Sequence, residues 1–134
     1  MADNLTDSAS SLTSHVVAKV ILIVEDDAAF AQFLCNAISS ETSHQPVHVT
    51  DSTQALRITK EVTPDLIILD YHLPNMNGID LYDLLHSQKE LEHVPTIMTT
   101  AGVLEHDFQD RHIVGISKPV SLTKLLDIVA ELID

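Results

Sequence analysis

A chain of 134 residues, 45% of them hydrophobic, suits one compact domain with its own core and is too short for two ordinary ones. Its 20 acids against 7 Lys and Arg give a formal charge of -13. The bases, at Lys19, Arg57, Lys60, Lys89, Arg111, Lys118 and Lys124, form no stripe, so direct DNA or RNA binding is disfavoured, and a negative surface favours cations and basic partner faces instead.

Residues 1–18, MADNLTDSASSLTSHVVA, contain no basic residue and no continuous apolar core, so they read as neither a secretory signal nor a membrane anchor. A cytoplasmic protein without membrane insertion is expected. Being Ser/Thr-rich and aperiodic, 1–18 read as a disordered or mobile tail, and 19–134 as the single domain. Cys35, the one cysteine, rules out an internal disulfide framework and reads in FAQFLCNAI as a small core residue.

From there short apolar runs alternate with helical patterns. KVILIV (19–24), PVHV (46–49), DLIIL (65–69), PTIMT (95–99) and HIVGIS (112–117) are predicted strands, mostly without the alternation of a half-wet sheet, which implies burial on both faces. Phe30, Phe33, Leu34, Ala37 and Ile38 repeat at helical spacing, as do Leu122, Leu125, Leu126, Val129, Leu132 and Ile133, each set reading as one buried face. Asp51 with Gln54 resembles a capping box, and Ser121 can cap the last helix. The expected fold is an α/β, flavodoxin-like (βα)5 three-layer domain, with helices on both faces of a five-stranded parallel sheet.

In such a sheet ligands bind outside the carboxyl ends of the strands. Asp70 ends the third run there, Glu25, Asp26 and Asp27 follow the first, Thr99 and Thr100 end the fourth, and Ser117, Lys118 and Pro119 the fifth. Clustered carboxylates repel unless a cation joins them. Oxygen ligands without a Cys or His pair suit Mg2+, and the eight histidines (15, 44, 48, 72, 86, 93, 106 and 112) show no zinc spacing. Asp70 can then attack phosphorus as a nucleophile, with a metal on one side and Lys118 on the other neutralising charge. Singly, each residue has a plainer reading: Asp70 as a turn cap, Glu25-Asp26 as a solvated helix start, Asp27 as the helix cap, Lys118 as a surface lysine.

Taken jointly, Glu25-Asp26 after ILIV, LDYHLPNMNGIDL around Asp70, IMTTA with Thr100, and SKP with Lys118 resemble the receiver domain of bacterial two-component response regulators, of the stand-alone, chemotaxis-receiver-like type. The resemblance spans roughly residues 19–133, and the separations of 45 residues from Glu25 to Asp70 and 30 from Asp70 to Thr100 agree with it. It implies Asp70 as phosphoacceptor, Mg2+ held by Glu25, Asp26, Asp70 and the backbone carbonyl of His72, and Thr100 and Lys118 binding the phosphoryl group. It further implies that His72 and Gly102 tune the acyl phosphate's lifetime, that Lys118-Pro119 is cis, and that the donor is a sensor histidine kinase or histidine phosphotransfer protein. Such a chain is no ordinary enzyme: it catalyses its own Mg2+-dependent phosphoryl transfer and slow dephosphorylation.

Two departures stand out. Relatives carry an aromatic switch residue three positions before the lysine, where this chain has Gly115, and the stretch from Thr100 to Lys118 is short by about one helical turn, leaving a stubby helix over 103–111. With no output domain after Asp134, a relay or phosphate-sink role is expected rather than a transcription factor. The rival readings are a phosphorylation-independent adaptor docking on a kinase or scaffold, and an aspartyl-intermediate phosphohydrolase, which needs a second acid where His72 stands.

Overall fold

The computed structural model describes residues 18–102 and 108–133. All but Ala18 of the expected tail, His15 and His106, and residues 103–107 of the expected 103–111 helix, lie outside them; residues 108 and 109 are helical. In chain order the elements are β1 (Val20–Val24), α1 (Ala28–Glu41), β2 (Gln45–Val49), α2 (Ser52–Ile58), β3 (Leu66–Asp70), α3 (Gly78–His86), a 3-10 turn (Lys89–Leu91), β4 (Thr96–Thr100), β5 (Ile113–Ser117) and α4 (Leu122–Ile133).

The strands form one parallel sheet in the order β2-β1-β3-β4-β5, so β1 and β3, the two runs that end in acids, are neighbours at its centre. Their apolar continuity has the expected cause: Ile21 to Val24 and Leu66 to Leu69 are all at most 2% exposed, with helices on either side. Leu22, Ile67, Leu69 and Met98 pack with Ala55 of α2 and Ile79, Leu81 and Leu85 of α3. Ile21, Ile23, Ile68 and Ile97 pack with Leu34 and Ile38 of α1 and Leu125, Val129 and Ile133 of α4. Each Leu or Ile so buried contributes about 1.5–3 kcal/mol. Pro46, without an N–H for the ladder, sits in β2, which pairs with β1 alone at the sheet's edge.

The helix starts follow their caps. Asp27 accepts the Phe30 N–H at 3.0 Å, Asp51 the Gln54 N–H at 2.8 Å and Asn77 the Asp80 N–H at 2.9 Å, while Ser121 accepts more distantly from Lys124 N–H at 3.3 Å. The capping box at Asp51 differs from the expected form, since the Gln54 carboxamide accepts from Thr50 N–H at 2.8 Å, one residue earlier than the cap. Two side chains assigned to buried helix faces are part-exposed instead, Phe33 at 37% because it lies at the margin of α1's apolar stripe, and Leu122 at 40% because it is the first residue of α4.

Candidate functional site

Side-chain alternation decides which strand-end groups meet. Ile23 and Ile68 face the α1 and α4 side, so two residues further on Glu25 and Asp70 turn to that same side. Both are almost wholly withdrawn from solvent, Glu25 at 1% and Asp70 at 3% exposure, whereas Asp26 is exposed. Carboxylate oxygens of the three lie within 4.8 Å of one another, the one such group of three His, Cys, Asp or Glu among the described residues.

Burying two carboxylates is costly without compensation. Lys118 supplies part of it, its Nζ 3.4 Å from Asp70 Oδ1 and 3.7 Å from Glu25 Oε1. Backbone donors supply more: Asp27 N–H donates to Glu25 Oε2 at 2.9 Å, and His72 N–H to Asp70 Oδ1 at 3.3 Å. Asp70 thus has the turn-capping role that its plainer reading assigns it, together with the lysine contact. Glu25 Oε1 has no hydrogen-bond partner. Burial first, then the neighbouring Asp70 and Asp26 charges, push Glu25 up to about 7, against the pull of the Asp27 N–H and Lys118. A buried oxygen without a hydrogen bond, beside two further carboxylates and with no thiolate or imidazole among them, fits a hard divalent cation such as Mg2+.

Local backbone fixes the rim. The Glu25 carbonyl accepts from the His48 ring, Nε2 lying 2.8 Å away, and Glu25 N–H donates to Val49 carbonyl at 3.1 Å. Lys118 N–H donates to the Thr100 carbonyl at 2.9 Å, tying the exit of β5 to that of β4, and the Lys118-Pro119 bond is cis, as expected. An open cleft of about 470 Å3 adjoins the acids, lined by Asp26 and the loop from Tyr71 to Asn77. His72 lines it, exposed, with its ring edge against Tyr71. Thr99 stands level with Asp70 in the β3–β4 register; Thr100 is one place further out, its hydroxyl accepting Gly102 N–H at 3.0 Å. Gly102 is exposed, and a β-carbon there would meet nothing within 4 Å.

Of the residues singled out in the sequence, Glu25, Asp26, Asp70 and Lys118 are brought together, and His72, Thr100 and Gly102 lie on the rim. Sequence reasoning missed four others. Phe30, counted as core, lies under the Lys118 ammonium, 4.7 Å from Nζ to ring centroid. His48 holds the Glu25 carbonyl. Gly78 lets α3 start against the Asp70 backbone. Phe108 lies across Gly115, so that a β-carbon there would stand 2.4 Å from its Cε2. The aromatic missing from β5 is therefore present in space, carried by the preceding segment; only the clash at Gly115 reveals it, and no spacing rule would.

The sequence profile of the response regulator receiver domain matches residues 21–130. The chain belongs to this family. Among its relatives, the polar-differentiation response regulator DivK of Brucella ovis is 27% identical over 117 residues, covering 84% of this chain and 94% of DivK. The DNA-binding response regulator MtrA of Mycobacterium leprae is 42% identical over 81 residues, covering 60% of this chain but only 34% of MtrA, so the alignment reaches about a third of that relative. Among solved structures, Vibrio cholerae chemotaxis protein CheY4 superposes with a TM-score of 0.80 at 19% identity, over 87% of this chain and 99% of CheY4. The receiver domain of a signal transduction histidine kinase from Syntrophus aciditrophicus gives 0.76 at 32% identity, over 87% of this chain and 90% of that domain. The receiver fold is thus the flavodoxin-like one expected. Receiver domains bind Mg2+ at an acidic pocket and are partnered by histidine kinases, and this one carries the acidic cluster. No helix among its described residues is long and apolar enough to cross a membrane.

Proposed function

We propose that this receiver domain acts as a stand-alone phosphoacceptor, taking a phosphoryl group on Asp70 from a phosphohistidine of a sensor histidine kinase or histidine phosphotransfer protein. The observation that carries the reading is the placing of Asp70: buried, at the exit of a central strand, 3.4 Å from the Lys118 ammonium and within reach of two further carboxylates. Glu25, Asp26 and Asp70, with the His72 carbonyl, would hold Mg2+, which when bound offsets negative charge on the phosphoryl oxygens. An Asp70 carboxylate oxygen attacks phosphorus, its new O–P bond replacing the donor's N–P bond, and the departing imidazole takes up a proton from solvent. Lys118, paired with Asp70 beforehand, moves onto a phosphoryl oxygen, and the Thr100 hydroxyl, released from Gly102 N–H, donates to another. His72 on the cleft wall and the open space at Gly102 govern water's access, hence the lifetime of the acyl phosphate and its slow self-catalysed loss. A cytoplasmic location accords with such a donor.

The test is intact mass after incubation with acetyl phosphate and Mg2+. One added phosphoryl group, absent with EDTA and absent in Asp70→Asn, is expected. No adduct from either acetyl phosphate or a phosphohistidine donor, in folded protein, would favour the phosphorylation-independent adaptor.

A further inference from the structure

Phe30 is the third residue of α1, half-buried, with its ring face toward the Lys118 ammonium at 4.7 Å. A closed circuit of contacts holds it there. Asp27 accepts the Phe30 N–H at 3.0 Å, the Asp27 N–H donates to Glu25 Oε2 at 2.9 Å, Glu25 Oε1 lies 3.7 Å from Lys118 Nζ, and Nζ returns to the ring. Phe33 stacks on the ring from outside, centroids 6.0 Å apart and planes 15° from parallel.

Both ion-pair distances of Lys118, 3.4 and 3.7 Å, are longer than the roughly 2.7–2.9 Å of a close charge-assisted hydrogen bond, so the carboxylates alone do not fix where the ammonium sits. A lysine on a four-carbon stem loses considerable rotamer freedom when held in one place. The electron-rich face of an aromatic ring is a suitable third wall, attracting the cation without offering an acceptor that would compete with a phosphoryl oxygen.

We propose that Phe30 is a positioning residue: its ring face seats the Lys118 ammonium over Asp70 before the phosphoryl group arrives. The role in transfer rests on the phosphoacceptor reading, whereas the seat itself exists in the unphosphorylated protein. Losing a partly desolvated cation–π contact corresponds to about a two- to tenfold slower transfer.

Two readouts on the full chain separate these claims. In protein with 13C-labelled lysine, without phosphodonor, the Lys118 ε-methylene protons are expected upfield of those of the other lysines by the ring current, the signal being assigned by its loss in Lys118→Met. In parallel, labelling by acetyl phosphate and Mg2+ is timed by intact mass. Phe30→Leu, with Phe30→Met as a second ring-free variant should Leu not fold, is expected to lose the upfield shift and slow labelling about fivefold. Phe30→Tyr is expected to keep both within about twofold. The proposal is overturned if Lys118 already resonates with the other lysines in wild type, if the ring-free variants are labelled as fast as wild type, or if Phe30→Tyr is as slow as they are. A wild type that shows the upfield shift yet takes no phosphoryl group from acetyl phosphate or a phosphohistidine donor overturns the phosphoacceptor reading, and with it Phe30's part in transfer.

Discussion

A β-carbon on Gly78 would lie 2.7 Å from the carbonyl oxygen of Asp70, and 2.9 Å from the Tyr71 α-carbon. Both neighbours are backbone and cannot swing aside, so α3 begins in contact with the strand end that carries the candidate acceptor, fastened by the Gly78 N–H to the Tyr71 carbonyl at 2.7 Å. Gly78→Ala is expected to destabilise by about 1–3 kcal/mol despite alanine's better helix propensity, and to slow acetyl phosphate labelling. Urea unfolding checks the first; a stabilised Gly78→Ala protein would show that the close approach relaxes freely.

Burial raises Glu25 to about 7 in the metal-free protein, against 4.5 ordinarily. Between those values the folded state binds a proton that the unfolded state has lost, so this group's contribution to stability falls as pH rises through about 7. In EDTA, wild type is expected to lose stability relative to Glu25→Gln as pH rises from about 4.5 to about 7, the loss levelling off above that, with a slope of at most about 1.4 kcal/mol per pH unit. Because a cation displaces the same proton, Mg2+ is expected to raise the melting temperature more at pH 8 than at pH 6. Parallel pH profiles for the two proteins would refute the raised value.

Arg111 forks onto Asp83, Nε to Oδ1 at 2.8 Å and a terminal nitrogen to Oδ2 at 3.0 Å, while the Tyr82 hydroxyl donates to the Arg111 carbonyl. The Arg111 hydrogen bond holds the Asp83 carboxyl below its usual value, so its stabilisation is present at neutral pH and is lost as pH falls through that lowered value. Asp83 is half exposed, and Asp83→Asn is expected to cost no more than about 1 kcal/mol at pH 7. Tyr82→Phe, which strips the donor from a carbonyl, is expected to cost about 0.5–1.5 kcal/mol at any pH below the tyrosine range. Denaturant midpoints at pH 7 and pH 3 distinguish the two.

Phe108 and Gly115 are expected to couple. Gly115→Ala alone must displace a buried ring and should cost about 1–3 kcal/mol. Phe108→Ala should cost about 3–5 kcal/mol. With the ring gone, the added methyl meets no obstacle, so the double variant is expected to be more stable than the sum of the single changes implies. Additive unfolding energies would mean that the two side chains do not share that space.

His112 enters β5 with a φ of 58°, in the left-handed region where a side chain is strained. His112→Gly is expected to leave stability unchanged or raise it by up to about 1 kcal/mol, while His112→Val is expected to lower it. Thermal melts of the two variants check the sign.

The strands and their order of burial were legible because apolar runs without alternation have one economical home, the middle of a parallel sheet. The acid cluster was legible for a related reason: Glu25, Asp26 and Asp70 each break such a run at its carboxyl end, and parallel strands bring those ends together. Contacts across layers were not. Phe33 and Leu122 satisfy a helical period yet are part-exposed, since periodicity gives the direction of a face but neither its width nor how far along the helix it is covered. Phe30 has the pattern of a core residue, and only the path of Lys118 makes it more. Phe108 and Gly115 are seven positions apart in the chain and meet through a turn that no residue spacing encodes.

The sheet order also sets where the crevice yields. Glu25 and Asp70 extend from β1 and β3, each hydrogen-bonded to a strand on both sides, whereas Lys118 follows β5, bonded on one side only. Backbone openings are cheapest at sheet margins and dearest at the centre, so amide exchange should be slowest at Ile23 and Ile68 and faster along β5. The anions are thus mounted where backbone opening is dearest and the cation on the border where it is cheapest, so a change of charge at the crevice is expected to speed amide exchange along β5 before it does so in β1 or β3.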